Sequence, residues 1–471
     1  MPACGLVDLK TAFKINRHGR LRSRPTTTKD ENISPQGSIN SVFKIKFVNL
    51  GCSKNLVDSE RMAGMLKEAG GQIVEDAEEA DGLVVNTCSF IEAARAEAVD
   101  TILSGAVWKK HRKGRKLFVA GCLPQRYDAE LKKEFPEADG YFGAGDYSGL
   151  VKAIIDSSVR PSAVQNPRYA FTPKHYRYLR IADGCDRNCA YCAIPAIRGK
   201  YHSQSIAGLV TEARSLAEEG AKELIIIAQE INSYGADLTE EADLMLLLRQ
   251  LVKIDGLRWI RMLYLHPPLV ENSLVELIAG EKKICPYFDF PIEHINDKIL
   301  RRMGRKINRR EIEAKLKMIK SLLPQAAIRT SLMTGFPGEG EDEFAELLDF
   351  VAEEWFDHLG VFTYSPEEGT SAFYFPNRIP QETAQFRLEA IMDLQCSISA
   401  KKNQAKIGKV YDVIVDGNDE EGALYGRNQF IAPEIDGKIF IQGSADAGEL
   451  VRVKIRSAGD YDLLGEIVKQ D

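Results

Sequence analysis

The sequence predicts an α/β protein built from three parts: an N-terminal doubly wound parallel sheet, a central partial (β/α) barrel of six units, and a small C-terminal antiparallel β-barrel. Three observations predict this. Short apolar runs alternate with helical stretches from residue 44, and a second, longer series of the same kind follows from residue 171. After residue 403 the helical periodicity ends, and short strands alternate with turns that contain Gly and Asp.

The first series contains three predicted strands separated by two predicted helices. The strands cover 44–50, 82–87 and 116–121, and the helices cover 59–69 and 93–108. Strands that alternate with helices of this length pair in parallel through right-handed crossovers, so a doubly wound sheet is expected over 44–159. Residues 1–43 are basic and aperiodic, which predicts a disordered extension; an organelle transit peptide is the alternative.

The second series contains six strand candidates and the helices between them. The strands are predicted at 178–181, 223–228, 259–265, 287–291, 328–333 and 359–364. The helices are predicted at 206–219, 243–253, 273–279, 311–322 and 341–354. A complete barrel needs eight units, so six predict an open barrel over 171–400, with functional groups at the carboxyl ends of its strands. The last domain is expected over 403–471, with strands at 409–415, 438–441 and 450–456.

Composition narrows the class of protein. The 471 residues are 44% hydrophobic and 28% charged, with a net charge of -6, and no apolar run reaches the length of a membrane span. The acidic balance argues against a surface dominated by phosphate binding. Nine Cys are too few for a disulfide scaffold, yet they are clustered, which favours metal or redox chemistry in a reducing compartment. We therefore expect a cytoplasmic protein that does not span a membrane.

Three cysteines follow the first strand of the central part as Cys-x3-Cys-x2-Cys. Cys185, Cys189 and Cys192 can bring three thiolates to one point, and thiolates are the ligands of iron-sulfur clusters and zinc. Both usually take four protein ligands, so a trio leaves one iron open to a chelating cofactor, as reductive cleavage of S-adenosylmethionine requires. A zinc site completed by a distant residue, or three unrelated thiols, are the alternatives. Residues 181–195 resemble the cluster motif of the radical SAM superfamily.

Three other cysteines each follow a predicted strand of the first domain. Cys52, Cys88 and Cys122 are 36 and 34 residues apart, one βα unit each. Because parallel strands place their carboxyl ends on one edge of a sheet, these thiols can converge on a second cluster, again with only three ligands. Three buried structural thiols are the alternative.

Two such trios together with the terminal β-barrel resemble the methylthiotransferase family of radical SAM enzymes, over residues 44–471. The resemblance implies two 4Fe-4S clusters, an auxiliary one on Cys52, Cys88 and Cys122 and a radical SAM one on the other trio. It also implies S-adenosylmethionine as methyl donor and radical source, a TRAM domain at 403–471, and an electron donor such as flavodoxin or ferredoxin. The expected product carries a new carbon–sulfur bond.

Short motifs point to one branch of this family. The segment Gly-Cys-Ser-Lys-Asn at 51–55, with Asp-Ser-Glu at 58–60, resembles the branch that modifies an aspartate β-carbon in a small-subunit ribosomal protein, the twelfth. The motifs at 364–370 and 432–437 do so as well. The branch that modifies tRNA adenosine, of the MiaB type, tends to have Gln-Met in place of Ser53-Lys54, and it remains the alternative. A ribosome- or RNA-binding module with purely structural clusters is a second alternative.

Charge provides a further test of the substrate. From residue 404 to the end, eight basic residues face thirteen acidic ones, which suits a basic ribosomal protein or ribosomal subunit better than tRNA; a merely solvated acidic surface is the alternative. Nucleic-acid contact is expected to be secondary. One segment carries six basic residues and could touch ribosomal RNA or simply lie on the outer surface: Arg301, Arg302, Arg305, Lys306, Arg309 and Arg310.

The resemblance also suggests which residues contact S-adenosylmethionine. Tyr191, Gln229 and Glu230 are the candidates, together with the 335–339 loop at the end of another strand. Three residues near the barrel mouth depart from the family pattern: Glu230 stands for Asp, Glu293 for Gln and His266 for Tyr. Cys4, Cys285, Cys396 and His294 are predicted to be structural.

Overall fold

The computed structural model describes residues 42–155, 167–239 and 241–468. The predicted N-terminal extension falls almost wholly outside these ranges. Among the described residues, no helix combines the length and the apolar character needed to cross a membrane. The domain boundaries expected from the sequence stay predictions.

The first part is a five-stranded parallel sheet in the order β2-β1-β3-β4-β5. Its strands are β1 Lys44–Asn49, β2 Gln72–Ile73, β3 Gly82–Thr87, β4 Lys116–Gly121 and β5 Gly140–Gly143. Its helices are α1 Ser53–Glu68, α2 Glu92–Lys110, α3 Cys122–Glu134 and α4 Tyr147–Ile154.

Successive side chains of each strand point to opposite faces of the sheet, and each face packs against different helices. Val84 and Phe118 pack with α1 and α4 on one face, whereas Leu83 and Leu117 pack with α2 on the other. The sheet is therefore doubly wound, as predicted. Helix α1 begins six residues earlier than the predicted 59, and the reason lies in the polar contacts described below.

The central part has six core strands in two three-stranded parallel sheets, β6-β9-β10 and β11-β12-β13. These strands are β6 Tyr176–Arg180, β9 Glu223–Ile227, β10 Trp259–Met262, β11 Tyr287–Asp289, β12 Ala327–Thr334 and β13 His358–Thr363; a small hairpin adds β7 Ala182–Asp183 and β8 His202–Ser203. Backbone hydrogen bonds of Ile260 with Lys283 and Cys285 join the two sheets into the predicted open barrel.

Helices connect and cover these strands. They are α5 Ile194–Arg198, α6 Ile206–Glu218, α7 Leu244–Leu251, α8 Asn272–Gly280, α9 Asp297–Arg302, α10 Arg309–Leu322, α11 Glu341–Ala352 and α12 Gln381–Gln404. Helix α10 starts with a capping box between Asn308 and Glu311, and α11 has an acidic first turn that suits the helix dipole. Each cap fixes the point at which a loop enters its helix.

The last part is a closed five-stranded barrel in the order β14-β15-β16-β18-β17. Its strands are β14 Val410–Asn418, β15 Leu424–Arg427, β16 Ile439–Gln442, β17 Leu450–Ala458 and β18 Leu463–Ile467. The sequence predicted antiparallel pairing throughout, but β16 and β18 pair in parallel. A closed ring with an odd number of strands cannot alternate direction at every pair, so one parallel pair is required.

The barrel docks on the amino ends of the core strands. Glu223, the first residue of β9, is fully buried between two guanidinium groups, with Arg261 Nε and Arg427 Nη1 each 2.7 Å from its carboxylate oxygens. At the start of β11, the Tyr287 hydroxyl donates to Asp436 at 2.7 Å. The loops at the carboxyl ends therefore lie one strand length away, about 15 Å for five residues.

Candidate functional site

The three cysteines of the N-terminal part lie at the carboxyl ends of β1, β3 and β4, which are neighbours in the sheet. Cys52 caps α1, Cys88 directly follows β3, and Cys122 is the first residue of α3. Gly51 has a φ of 88°, and a Cβ there would lie 2.6 Å from Cys88 Cβ. Only glycine allows the first and second loops to approach so closely. We call these cysteines the N-terminal trio.

Asn55 joins the three loops that carry the N-terminal trio. Its amide nitrogen donates to the carbonyl oxygens of Leu50 at 3.1 Å and Thr87 at 2.9 Å, which precede Cys52 and Cys88. Its amide oxygen lies 3.4 Å from Cys122 Sγ. Because Asn55 is fully buried, these bonds hold the three loops in one arrangement.

Cys185, Cys189 and Cys192, the core trio, lie in the loop that follows β6 and the short β7. The Cys192 amide donates to the Cys189 carbonyl at 3.1 Å, and Cys185 Sγ accepts from the Arg187 amide at 3.4 Å. The Ala190 amide donates to the Met303 carbonyl at 2.8 Å, so the loop packs against the turn after α9. All three cysteines are half-buried residues.

Two of the predicted cofactor contacts follow β9 and brace this loop. Both oxygens of the buried Glu230 are engaged: Oε2 accepts from Arg187 at 3.1 Å and from the Ser233 hydroxyl at 2.6 Å, and Oε1 accepts from the Ser233 amide. Gln229 donates to Asp183 at 2.7 Å, but its buried Oε1 has no hydrogen-bond partner among the described residues. That oxygen is available to accept from a bound ligand.

Tyr191 lies on the other side of the core trio. Its ring meets Phe336 edge-on at 6.5 Å, and its hydroxyl is hydrogen-bonded to Glu293. Glu293 has a φ of 69°, a strained conformation for a non-glycine residue at a strand end. Arg305 binds the Pro291 carbonyl and faces Tyr191, Glu293 and Cys189.

His266 also lies near this loop. Burial, with Arg305 and Arg187 nearby, lowers the pKa of His266 to about 3, so its ring is neutral at pH 7.

Arg198, the last residue of α5, connects the two trios. Its Nη2 lies 2.7 Å from Asn55 Oδ1, 2.7 Å from Asp58 Oδ2 and 3.5 Å from Cys122 Sγ. Burial alone would raise the pKa of Asp58, but Arg180 and Arg198 lower it to about 2. One guanidinium, six residues after Cys192, therefore ties the segment that follows the core trio to the N-terminal trio.

Other residues of the 51–60 motif also cross between the two parts. The fully buried Glu60 pairs with Arg168, which donates to Glu212 of α6 at 2.9 Å. Lys54 places its ammonium 3.3 Å from the centre of the Tyr264 ring, beyond the end of β10. Burial opposes the charge on Lys54, but Tyr264 and Cys52 raise its pKa above the usual value.

A second connection runs through the 364–370 motif. Buried Glu367 pairs with Arg95 and, at 3.0 Å, with Arg126. Arg126 also donates to the carbonyl of Ser89, next to Cys88, at 2.7 Å. A few residues after Glu367, the Ala372 amide donates to the carbonyl of Ala190, between Cys189 and Cys192, at 2.8 Å. One loop thus contacts both trios.

We expect Glu367→Ala to weaken this connection. The substitution leaves two guanidinium groups without their shared carboxylate, so the free energy of unfolding should fall by about 3 kcal/mol. Chemical denaturation measures the change. The control is Glu368→Ala at the exposed neighbour, which should stay within about 0.5 kcal/mol of the wild type. Equal stability of the two variants would contradict the role given to Glu367.

The donor set fits iron-sulfur clusters. Burial raises the pKa of the Cys122 and Cys192 thiols to about 12, so each would be neutral at pH 7 unless a metal replaced its proton. Arg198 beside one trio and Arg305 beside the other can balance thiolate charge. The described residues include no group of three or more Cys, His, Asp or Glu arranged around a single ion. Ligands of a multi-iron cluster bind different irons and need not meet at one point.

The structure gives the positions of most of the remaining residues that the sequence analysis singled out. His294 is fully buried with a pKa lowered to about 3 by burial, and Cys285 is fully buried in the core; Cys396 is half-buried and Cys4 lies outside the described residues.

The basic segment at 301–310 is divided between surface and interior. Arg309 pairs with Glu346 at 3.1 Å. Arg301, Lys306 and Arg310 are exposed, so only half of the segment is open to a partner.

Sequence reasoning missed the contacts that hold the two trios in place. Arg187 and Arg198 lie two and six residues from a trio cysteine, and that proximity was the only available signal. Asn55 was noted only as part of the 51–55 motif, without its role in joining the loops. Arg198 and Asn55 are 143 residues apart, so no local pattern could pair them.

The three parts match known families in the same order. The family described as "Uncharacterized protein family UPF0004" matches residues 44–143, the Radical SAM superfamily matches 179–351 and the TRAM domain matches 407–468. A solved structure of the radical S-adenosylmethionine methyltransferase TsrM from Kitasatospora setae is similar with a TM-score of 0.53 and 14% identity, covering 70% of this chain and 77% of that one. That likeness shows the fold alone.

Whole-chain relatives are more similar. The ribosomal protein uS12 methylthiotransferase RimO of Clostridioides difficile is 43% identical over 440 residues, covering 91% of this chain and 99% of the relative. The RimO proteins of Geobacter sulfurreducens and Aquifex aeolicus are 43% and 42% identical, covering 99% and 97% of their own lengths.

The open six-unit barrel, with its cysteine loop after the first strand, places the chain in the class of radical SAM enzymes. Within that class, identity of this level over nearly the full length shows the family. The chain belongs to the RimO family of methylthiotransferases.

Proposed function

We propose that this enzyme adds a methylthio group to the β-carbon of an aspartate in ribosomal protein uS12. The observation that carries the proposal is that two cysteine trios lie at carboxyl ends of two parallel sheets and are joined by Arg198. The relatives that support the substrate act, by name, on uS12. The tRNA alternative loses support, because the three whole-chain relatives described above are all named for the ribosomal protein.

In this proposal Cys185, Cys189 and Cys192 hold one 4Fe-4S cluster, and Cys52, Cys88 and Cys122 hold the auxiliary one. When bound, the clusters and S-adenosylmethionine supply the one-electron chemistry, the methyl group and the sulfur transfer that side chains cannot perform. Gln229 would accept a hydrogen bond from the bound cofactor through its unpaired Oε1. Tyr191 packs beside it, and Glu230 fixes Arg187 and thereby the cysteine loop.

The residues that join the two parts determine where the substrate lies. Arg198, Asp58 and Asn55 fix the spacing between the trios, so the acceptor carbon is held between them and away from bulk water. The barrel, docked at the opposite ends of the core strands, presents its acidic surface to a basic ribosomal protein or subunit. A low-potential donor such as flavodoxin or ferredoxin delivers electrons, and the proposed compartment is the cytoplasm.

Mass spectrometry of uS12 tests the proposal. Ribosomes from a strain that lacks this gene should contain uS12 lighter by one methylthio group, and the purified, anaerobically reconstituted enzyme should restore that mass. The same preparation should leave tRNA adenosine unmodified. A methylthio product on tRNA, with uS12 unchanged, would support the MiaB-type alternative instead.

A further inference from the structure

Lys54 carries a positive charge in an unusual place. The side chain is only 8% exposed, and no carboxylate of the described residues forms an ion pair with it. The ammonium nitrogen lies over the face of the Tyr264 ring, 3.3 Å from the ring centre. A buried charge without a countercharge is costly, and a cation–π contact offsets only part of that cost.

The position along the helix adds to this cost. Lys54 is the second residue of α1, a helix of 16 residues whose first turn contains no acidic residue. The amino end of a helix carries partial positive charge and disfavours a cation there. Burial and the helix dipole oppose the charge of this lysine, and no carboxylate among the described residues pairs with it, so the ammonium can bind the carboxylate of a partner molecule.

Tyr264 places the ammonium beside the carboxyl end of a core strand. The residue lies at the carboxyl end of the third core strand and has a φ of 65°, a strained conformation that its amide stabilises by donating to Asp289 at 2.9 Å. Lys54 itself is two residues from Cys52. Its charge therefore lies where the N-terminal trio faces the core.

We propose that Lys54 binds the side-chain carboxylate of the aspartate that is modified, and that it selects an acidic acceptor over a neutral one. This inference rests on the proposed function. The β-carbon of aspartate is bonded directly to the carboxylate carbon, so a group that holds the carboxylate next to Cys52 also holds the β-carbon near the N-terminal trio. A hydrogen bond to a charged partner supplies the selectivity.

The test combines Lys54→Met with uS12 in which the target aspartate is replaced by Asn. Methionine keeps most of the side-chain length and can still pack on the Tyr264 ring, but it removes the charge. We expect Lys54→Met to weaken the binding of unmodified uS12 and to raise its KM by about ten- to a hundredfold. The wild type should bind the Asn-containing uS12 more weakly by the same factor, whereas Lys54→Met should bind both forms equally. Lys54→Arg should restore most of the difference.

Two measurements separate a role in binding the substrate carboxylate from a role in holding the clusters or the fold. Iron content and uncoupled S-adenosylmethionine cleavage without uS12 should equal those of the wild type, and the control Lys67→Met, at the other end of α1, should bind uS12 normally. Additive losses from the two changes, or a shifted auxiliary-cluster potential with unchanged uS12 binding, would overturn the role of Lys54. A wild-type enzyme that does not modify uS12 at all would instead overturn the proposed function.

Discussion

Cys122→Ala should abolish methylthio transfer while leaving cleavage of S-adenosylmethionine intact. Cys122, at the end of β4, is one of the three proposed ligands of the auxiliary cluster. A cluster with only two remaining protein ligands is not expected to survive purification. Iron content should fall from about eight to about four per chain, the content of one four-iron cluster. Transfer to uS12 should fall more than about a thousandfold, because residues that act as one unit fail together. Anaerobic turnover with dithionite, followed by mass spectrometry of uS12 and quantification of 5'-deoxyadenosine, measures both activities.

Two further variants complete this experiment. Cys185→Ala should also halve the iron content, but it should abolish cleavage and transfer together, because the proposed function assigns radical formation to the core trio. Cys396→Ala, a half-buried thiol outside both trios, should retain full iron content and both activities. A Cys122→Ala protein that keeps full iron content and transfers normally would contradict the assignment of the N-terminal trio.

Asp58→Ala should destabilise the protein strongly. The carboxylate is 2% exposed and pairs with Arg180 and Arg198, both of which are buried on the core side. Its removal leaves two buried guanidinium groups that share only the partly exposed carboxylate of Asp183, at 3.4 and 3.3 Å. Losing the buried partner costs about 3–5 kcal/mol of unfolding free energy. The control is Asp100→Ala at an exposed position of α2, with an expected change within about 0.5 kcal/mol.

The pH dependence provides an independent check on Asp58. Its pKa is about 2 in the folded chain against 3.8 for the free side chain. A carboxyl group whose folded pKa is depressed contributes stability above its unfolded pKa, and that contribution disappears as the pH falls through the folded value. The stability difference between wild type and Asp58→Ala should therefore be constant from pH 7 to about 5 and shrink toward pH 2. A difference that does not change over this range would mean that Asp58 acts through packing alone.

The strand and helix series could be predicted because apolar periodicity reflects burial in a sheet. The prediction from periodicity failed where the buried side chains are polar. The first six residues of α1, Ser53 to Asp58, include three buried polar side chains that contact the core through ion pairs, hydrogen bonds and a ring, so no apolar stripe marks the start of the helix. The two-residue β2 and the Gly-Tyr-Phe-Gly strand β5 are too short or too rich in glycine to show a period.

The cysteine positions could be predicted for a topological reason, since any residue that follows a parallel strand lies on the same edge of the sheet. The contacts between the trios could not be predicted from the sequence. Arg198 meets Asn55 and Asp58 only after two separate sheets have formed and docked, and the same holds for Glu367 with Arg95 and Arg126. Such partners depend on packing between distant segments, which local sequence does not encode.

The most direct test of two clusters in one chain is the iron and acid-labile sulfide content of the anaerobically reconstituted wild-type protein, with Mössbauer spectroscopy to define the cluster type. Two cysteine trios predict about eight irons and about eight sulfides per chain, all in cubane clusters. A content of about four, unchanged by Cys122→Ala, would mean that the N-terminal trio holds no cluster and would contradict the proposed sulfur insertion.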